Sequence, residues 1–360
     1  MTTRQRIELL ARAYPRVFPR AELVRLVRAE LGDVDALDTW IKRDGIRTRA
    51  RAPKLIYHIC AGNLAISAMT SVVHGLVLGS HNVVKLPSDR EDSSTRREIL
   101  DFIRGLPAPL RKLVETDRIL AEKMLASADV AIAFGSDATM ESLRAKTHGG
   151  QKFIAHGHAV SLIWLSDANR LAAQEARAVA TDVLTYDQLG CLSPQAIYVS
   201  PGTNIAALGE KLARALEAHW SGLVKKPARP LGVAARIAEA RDMAFALGHR
   251  VWLPPTRHMG WTLIHDADSL FQPSPLHGVI AIRSVSETRL GEALAPVAGK
   301  ISTVGVAGKM SARAEAAFLK LGVTRFCPAG RMQFPPLTWH HDGRSTLAEL
   351  VTSIDAEGRL

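Results

Sequence analysis

Apolar positions along the chain alternate between two rhythms, short unbroken runs and longer stretches at helical spacing. Residues 4–31 follow the helical spacing with interruptions near Pro15 and Pro19, which predicts one or two amphipathic helices capping a larger body. From Lys54 the rhythms alternate. Strands are predicted at Leu55–Cys60, Asn82–Leu86 (stopped by Pro87) and Val130–Phe134, and helices at Leu64–Leu78, Ser93–Ile103, Thr116–Leu125 and Ala138–Lys146. The second half repeats the alternation with a strand at Val160–Leu165, a helix at Leu171–Leu184 and a strand at Ala196–Val199. Pro201, Pro227, Pro230, Pro254 and Pro255 then punctuate a less regular region. A helix–strand passage follows from Glu287 to Arg325, and Cys327 to Gly343 is rich in Pro and Gly. Short buried strands alternating with helices predict an α/β fold built on doubly wound parallel sheets. The expected organisation is an N-terminal helical cap over 1–50, one lobe over 51–158, a second over 159–325, and a segment 326–360 packing back on the body.

Composition narrows the class. A chain of 360 residues can bury a substantial core and makes two lobes natural. With 47% hydrophobic and 22% charged residues it reads as an ordinary soluble protein. The apolar stretch Leu64–Leu78 is broken by Ser67, Thr70, Ser71 and His74, too short and polar to span a bilayer, so no membrane span is expected. The start, Met-Thr-Thr-Arg-Gln-Arg, has no apolar secretory core. Cys60, Cys191 and Cys327 form neither a disulfide framework nor a zinc pattern, so a cytoplasmic protein without a metal site is expected. The net charge of +11 favours anionic partners. Basic residues are nevertheless spread, aromatics make up only 5%, and a nucleic-acid partner is not expected. A dinucleotide or coenzyme A accounts for the charge equally well.

A few residues stand out chemically. A lone cysteine is most often an inert small hydrophobe, but Cys191 follows Gly190 in a turn between a helix and a strand, where a ligand approaches closely and strained nucleophiles are displayed. Asn63 occupies the turn between the first strand and the long helix, either as a cap or as an amide donor at the carboxyl end of a parallel strand. Lys85 ends a strand and, with Ser88, could hold a ribose or phosphate at that edge. Gly135-Ser136 follows a strand and opens a helix, an anion-binding arrangement. No G-x-G-x-x-G fingerprint is present.

The order Asn, Lys, Gly-Ser, Cys resembles the aldehyde dehydrogenase superfamily, and within it the LuxC-type acyl-CoA reductases. The matching segments are His58-Ile-Cys-Ala-Gly-Asn63, Val83-Val-Lys-Leu-Pro-Ser88, Phe134-Gly-Ser136, His156-Gly-His158-Ala-Val-Ser161, Gly190-Cys-Leu-Ser-Pro-Gln195 and His341-Asp-Gly343. The resemblance implies a nucleotide-binding first lobe and a catalytic second lobe carrying Cys191. It implies that Cys191 attacks an acyl thioester, expels coenzyme A and carries the acyl group until hydride from a nicotinamide releases an aldehyde. Asn63 and the backbone N–H of Cys191 would stabilise the oxyanion.

Oxidising relatives carry a glutamate upstream of the cysteine as the base that activates water. Here Ala155-His156-Gly157-His158 occupies that segment, so the acyl-enzyme is expected to hydrolyse slowly and reduction to compete. His156 or His158 would act as proton donor, against the alternative of a structural role. An acid that contacts the ribose 2′-hydroxyl in NAD-preferring relatives is replaced by Ser88, with Arg90 nearby. NADPH is therefore expected, with NADH as the alternative. An oxidising or CoA-acylating aldehyde dehydrogenase, or a reductase fed by an acyl carrier or acyl-transferring protein, are the competing readings. A homo-oligomer is the expected assembly.

Overall fold

The computed structural model describes residues 1–43, 45–88 and 93–357. The chain falls into two units, residues 1–158 with 336–360 and residues 159–335.

The first unit opens with α1 (Thr3–Ala13), whose start is a capping box. Thr2 Oγ1 accepts from the Gln5 N–H at 3.3 Å, and Gln5 Oε1 accepts from the Thr2 N–H at 2.8 Å. Tyr14–Pro19 breaks the helix and α2 (Arg20–Leu31) follows. A hairpin of β1 (Ile41–Arg43) and β2 (Ile46–Arg51) comes next, which the helical reading of the first fifty residues did not include. The alternation then begins: β3 (Leu55–Ile59), α3 (Ala65–Leu78), β4 (His81–Lys85), α4 (Ser93–Gly105), α5 (Ala108–Arg111), β5 (Val114–Asp117), α6 (Glu122–Ser127), β6 (Val130–Phe134), α7 (Asp137–Arg144) and β7 (Lys152–His156). These strands make one parallel sheet in the order β5-β4-β3-β6-β7. The chain starts in the middle and winds outward both ways, a doubly wound sheet with its switch point beside β3. Thr116–Leu125, expected as a helix, is instead β5 and the start of α6. As an edge strand β5 pairs with β4 alone, so Glu115 can stay exposed and the apolar run that marks a central strand is missing.

The fit of α3 on the sheet is close. Val72, Val73, Leu76 and Val77 are fully buried, and a Cβ on Gly75 would come within 1.8 Å of Asn82 Oδ1. Gly79, at φ 81°, ends the helix in the left-handed region.

The second unit holds β8 (Val160–Leu165), α8 (Ala173–Leu184), β9 (Pro194–Val199), α9 (Ile205–Ser221), α10 (Leu231–Ala246), β10 (Arg250–Trp252), β11 (Thr262–Asp266), β12 (Val279–Ser284), α11 (Leu290–Ala293), β13 (Ile301–Ala307), α12 (Ala312–Lys320) and β14 (Arg325–Pro328). Their sheet runs β10-β11-β12-β9-β8-β13-β14, parallel except for the β10–β11 edge. Every residue of β8 is buried, the continuous apolar run of a central parallel strand. The proline-punctuated region contains two long helices, α9 and α10. Pro201 lies before the first and Pro230 is the N-cap of the second, so both prolines precede helices rather than interrupt them. A last strand, β15 (Thr352–Ala356), belongs to the first unit and pairs antiparallel with β2. Among the described residues no helix is long and apolar enough to cross a membrane.

Candidate active site

Cys191 lies in the second unit, in the loop between α8 and β9. The approach to it is strained. Tyr186, Asp187 and Gln188 have φ of 55°, 54° and 62°, left-handed values that side chains with a Cβ adopt at a cost of about 1 kcal/mol or more each. Two side chains of the turn hold it. The Asp187 carboxylate accepts from Arg229 Nη2 at 2.7 Å and Nη1 at 2.9 Å, and lies 2.6 Å from His277 Nδ1. Gln188, fully buried, donates to Pro194 O at 2.8 Å and Val279 O at 3.2 Å, and accepts from the Gly278 N–H at 2.9 Å. Beyond the turn the Gly190 N–H donates to Ser193 Oγ at 3.2 Å, which also accepts from Gln333 Nε2 at 2.9 Å. Ser161 Oγ donates to the Cys191 carbonyl at 2.8 Å. The loop carrying the sulfur is therefore tied down before and after it.

The other two thiols are poorly placed for nucleophilic attack. Burial pushes Cys60 up to about 12, against the pull of Lys85, and Cys327 up to about 11, against Arg325. Neither is a ready thiolate at neutral pH. Cys191 is half-buried, and none of the three forms a disulfide.

In the first unit the parallel register gathers the remaining candidates at one carboxyl edge. Ile59 pairs with both Lys85 and Ala133, and Phe134 pairs with His156. The segments after β3, β4, β6 and β7 consequently emerge along the same carboxyl edge, those after β3 and β6 flanking the switch point, where open sheets bind ligands. Asn63 is exposed in the turn before α3. The cap position falls on Leu64, which makes no side-chain cap, so Asn63 is not the N-cap. Lys85 is half-buried, with its carbonyl accepting from the Cys60 N–H at 3.2 Å. Ser88 is exposed, and Arg90 lies outside the described residues. Ser136 is the N-cap of α7, its Oγ accepting from the Thr139 N–H at 3.2 Å, and the Gly135 N–H donates to His156 O at 3.2 Å. A half-buried lysine, an exposed serine and a capped helix start at one sheet edge fit the phosphates and ribose of a dinucleotide.

The two histidines differ. His158 is exposed, and its N–H donates to Asp137 Oδ1 at 3.0 Å. His156 Nδ1 lies 2.8 Å from Asp342 Oδ2, and its ring stacks on Phe134 at 4.7 Å and on His341 at 4.2 Å. Burial, with His156 beside it, holds His341 down to about 4. Burial works against the Asp342 carboxylate, but the hydrogen bond from His156 and nearby positive charge hold it below its ordinary value. Asp342 and His341 carried no individual role in the sequence, although His341-Asp-Gly343 is one of the matching segments. Asp187, Arg229 and His277 gave no sequence signal, because their partners are far away along the chain.

The description "acyl-CoA reductase (LuxC)" matches residues 2–353. The long-chain acyl-protein thioester reductase of Aliivibrio fischeri is 22% identical over 350 residues, covering 94% of this chain and 71% of that protein. The corresponding protein of Photorhabdus luminescens is 26% identical, covering 93% of this chain and 70% of that one. Among solved structures, aldehyde dehydrogenase 21 of Physcomitrella patens aligns with a TM-score of 0.65 at 15% identity, over 99% of this chain and 86% of its own. NADP-dependent glyceraldehyde-3-phosphate dehydrogenase of Bacillus halodurans C-125 aligns with a TM-score of 0.70 at 12% identity, over 99% and 87%. At such identities the structures establish a shared aldehyde dehydrogenase-like fold. The match over nearly the whole sequence settles the rest: the chain belongs to the LuxC acyl-CoA reductase family, oxidoreductases acting on an acyl group.

Proposed function

We propose that the chain reduces an acyl thioester to an aldehyde with NADPH, through an acyl group carried on Cys191. The observation that supports this most directly is the clamped left-handed turn that leads into Gly190-Cys191, strain of the kind that persists at functional sites. The Cys191 thiolate attacks the thioester carbon, the bond to the donor sulfur breaks, and the donor thiol leaves. Exchange of one thioester for another needs mainly a thiolate and an oxyanion site. Asn63 is assigned to stabilising the oxyanion, as the family resemblance implies. When bound, the nicotinamide supplies the hydride. Lys85, Gly135 and Ser136 would hold its dinucleotide, and Ser88 in place of an acid leaves room for a 2′-phosphate. The proton comes from His156 or His158.

The donor thiol is coenzyme A or an acyl-carrying protein. The family is described by the first and the curated relatives are named for the second, and a net charge of +11 suits either as an anion. The relatives' names also favour a long acyl chain. Mass spectrometry of the intact protein after incubation with a panel of acyl-CoAs, and with an acylated carrier protein, reads out both points. Acyl adducts on Cys191, lost together with aldehyde formation in Cys191→Ser, are expected. Full reductase activity in Cys191→Ser overturns the covalent route.

A further inference from the structure

We propose that His156 and Asp342 form a carboxylate–imidazole dyad that supplies the proton consumed in acyl reduction, His156 as catalytic residue and Asp342 as its positioning residue. This role rests on the thioester reduction proposed above, and it decides between the two histidines left open there.

The geometry lies entirely within the first unit. His156 ends the edge strand β7 at the carboxyl edge of the parallel sheet, level with Phe134 of β6, while Asn63 follows β3 and Lys85 ends β4, two and three strands further in. Its Nδ1 is 2.8 Å from Asp342 Oδ2. An ionised carboxylate only accepts, so Nδ1 must carry a hydrogen, and proton exchange is left to Nε2. Stacking on Phe134 (interplanar angle 14°) and His341 (17°) fixes the plane of the ring. Asp342 is itself in an unusual conformation, with φ of 54° on a residue that is not glycine, followed by Gly343 at 74°. The turn is closed by hydrogen bonds from Gly343 N to His340 O at 3.0 Å and from Arg344 N to His341 O at 3.1 Å. A strained residue held so that its carboxylate meets one imidazole nitrogen is the arrangement expected of a group that orients a proton donor.

The charged and titratable neighbours are consistent with this role. His341 faces the His156 ring and is neutral near pH 7, because burial holds it down to about 4. His74 of α3 is likewise held at about 3, by burial first and then by His58, His341 and His156. Arg344 helps to keep Asp342 ionised. Asp342 is thus the anion that meets the His156 ring among the described residues. His156, His341 and Asp342 also offer ligand atoms within 4.8 Å of one another. The two rings, however, are stacked and nearly parallel, so their in-plane lone pairs do not converge on a single ion. His158 has no comparable support, being exposed.

The proton completes the reaction as follows. Hydride from a reduced nicotinamide dinucleotide adds to the acyl carbon of the Cys191 thioester and leaves an alkoxide. Collapse of the alkoxide breaks the C–S bond, releases the aldehyde and leaves the electron pair on Sγ. His156 Nε2 releases the proton that balances the step, the sulfur is restored as the thiol, and solvent returns one to His156.

The test uses Asp342→Asn, which keeps a residue tolerant of the left-handed turn, with Asp342→Glu as the conservative partner. Cys191 is first loaded with labelled acyl group, and aldehyde formation is then followed in a single turnover with NADPH across a range of pH. In Asp342→Asn the acylation rate is expected to stay within about twofold, while reduction falls about 10²–10⁴-fold, the usual contribution of a positioned proton donor. Asp342→Glu should restore part of the rate, and the low-field Nδ1 proton resonance of His156 should vanish in the Asn variant. Unchanged reduction in Asp342→Asn overturns the dyad. So does equal loss of acylation and reduction without rescue by Asp342→Glu, which marks a structural role. Rapid, Asp342-dependent hydrolysis of the acyl group without NADPH would make the pair a base for water, and a divalent ion lost in Asp342→Asn would make it an ion site. Failure of Cys191 to acylate in the unmodified protein sinks the covalent reading itself, a result separable from all of these.

Discussion

Asp187→Ala is the sharpest probe of the nucleophile loop. The side chain holds three charge-assisted contacts, two from Arg229 at 2.7 and 2.9 Å and one with His277 at 2.6 Å. All three groups are largely shielded, with side-chain exposures of 12%, 14% and 11%, so solvent screening discounts little. Removing one partner of such a pair costs about 3–5 kcal/mol when nothing relaxes. The turn can relax, however. Tyr186, Asp187 and Gln188 each store about 1 kcal/mol in their left-handed φ, so release returns up to about 3 kcal/mol. Full release of the turn leaves a net loss of about 0–2 kcal/mol and no release about 3–5 kcal/mol, and release also displaces Gly190-Cys191 a few residues on. A misplacement of about 1 Å at a reacting atom costs about 10²-fold in rate. Urea unfolding gives the first quantity, and quench-flow acylation of Cys191 with labelled acyl thioester gives the second. Arg229→Lys keeps the charge but loses the fork, and should fall between. Acylation within twofold of normal in Asp187→Ala would show that the clamp does not position the sulfur, and the reasoning would fail.

Two further outcomes are expected. Asn63→Ala should slow acylation about 10²–10³-fold with a smaller effect on substrate affinity, as for a lost oxyanion donor; single-turnover kinetics that show a change in affinity alone would make Asn63 a binding contact. Asp182 is fully buried, and burial pushes its carboxyl up to about 6 from an ordinary 3.8, against hydrogen bonds from the Gly330 and Met332 N–H groups. The folded state therefore holds a proton that the unfolded chain has released, so this contribution to stability is fully present below about 3.8 and is lost as pH rises through 6, about 3 kcal/mol in all. Urea midpoints from pH 4 to 7.5 should show that slope in the unmodified protein and lose it in Asp182→Asn; an identical slope in both would assign the titration elsewhere.

The fold was legible where burial on both faces writes a continuous apolar run. Val130–Phe134 and Val160–Leu165 coincide with β6 and β8 for that reason. Edge and polar strands were not. β5 pairs on one side only, and β2 alternates arginines along its length, so neither carries the mark of a core strand. α9 and α10 were hidden by prolines that precede helices, as Pro230 does at the N-cap of α10. Proline reports a boundary in the backbone, and its neighbours decide on which side the helix lies.

The site divides along the same physical line. The positions of Cys191, Asn63, Lys85 and Gly135-Ser136 at or just beyond the ends of elements could be read, because each adjoins an element whose apolar run is legible. What holds the chemistry in place was not legible, because it is made by pairs distant in sequence. Asp187 meets Arg229 42 residues away and His277 90 residues away, and His156 meets Asp342 across 186. In each unit an aspartate in a left-handed conformation presents its carboxylate to a histidine Nδ1. Aspartate tolerates this conformation better than most residues with a Cβ, but the local sequence does not require it, and the surrounding contacts must hold it there. The two pairs differ in one respect that fixes how they can act. Asp187 is also neutralised by a bidentate arginine, which commits the group to holding a turn. Asp342 has no such fork on its carboxylate among the described residues, with Arg344 acting on it only through charge. More of its charge is therefore available to the imidazole. Of the two carboxylates, Asp342 is the one whose charge acts chiefly on imidazole, with His156 Nδ1 at 2.8 Å and His341 Nε2 at 3.8 Å.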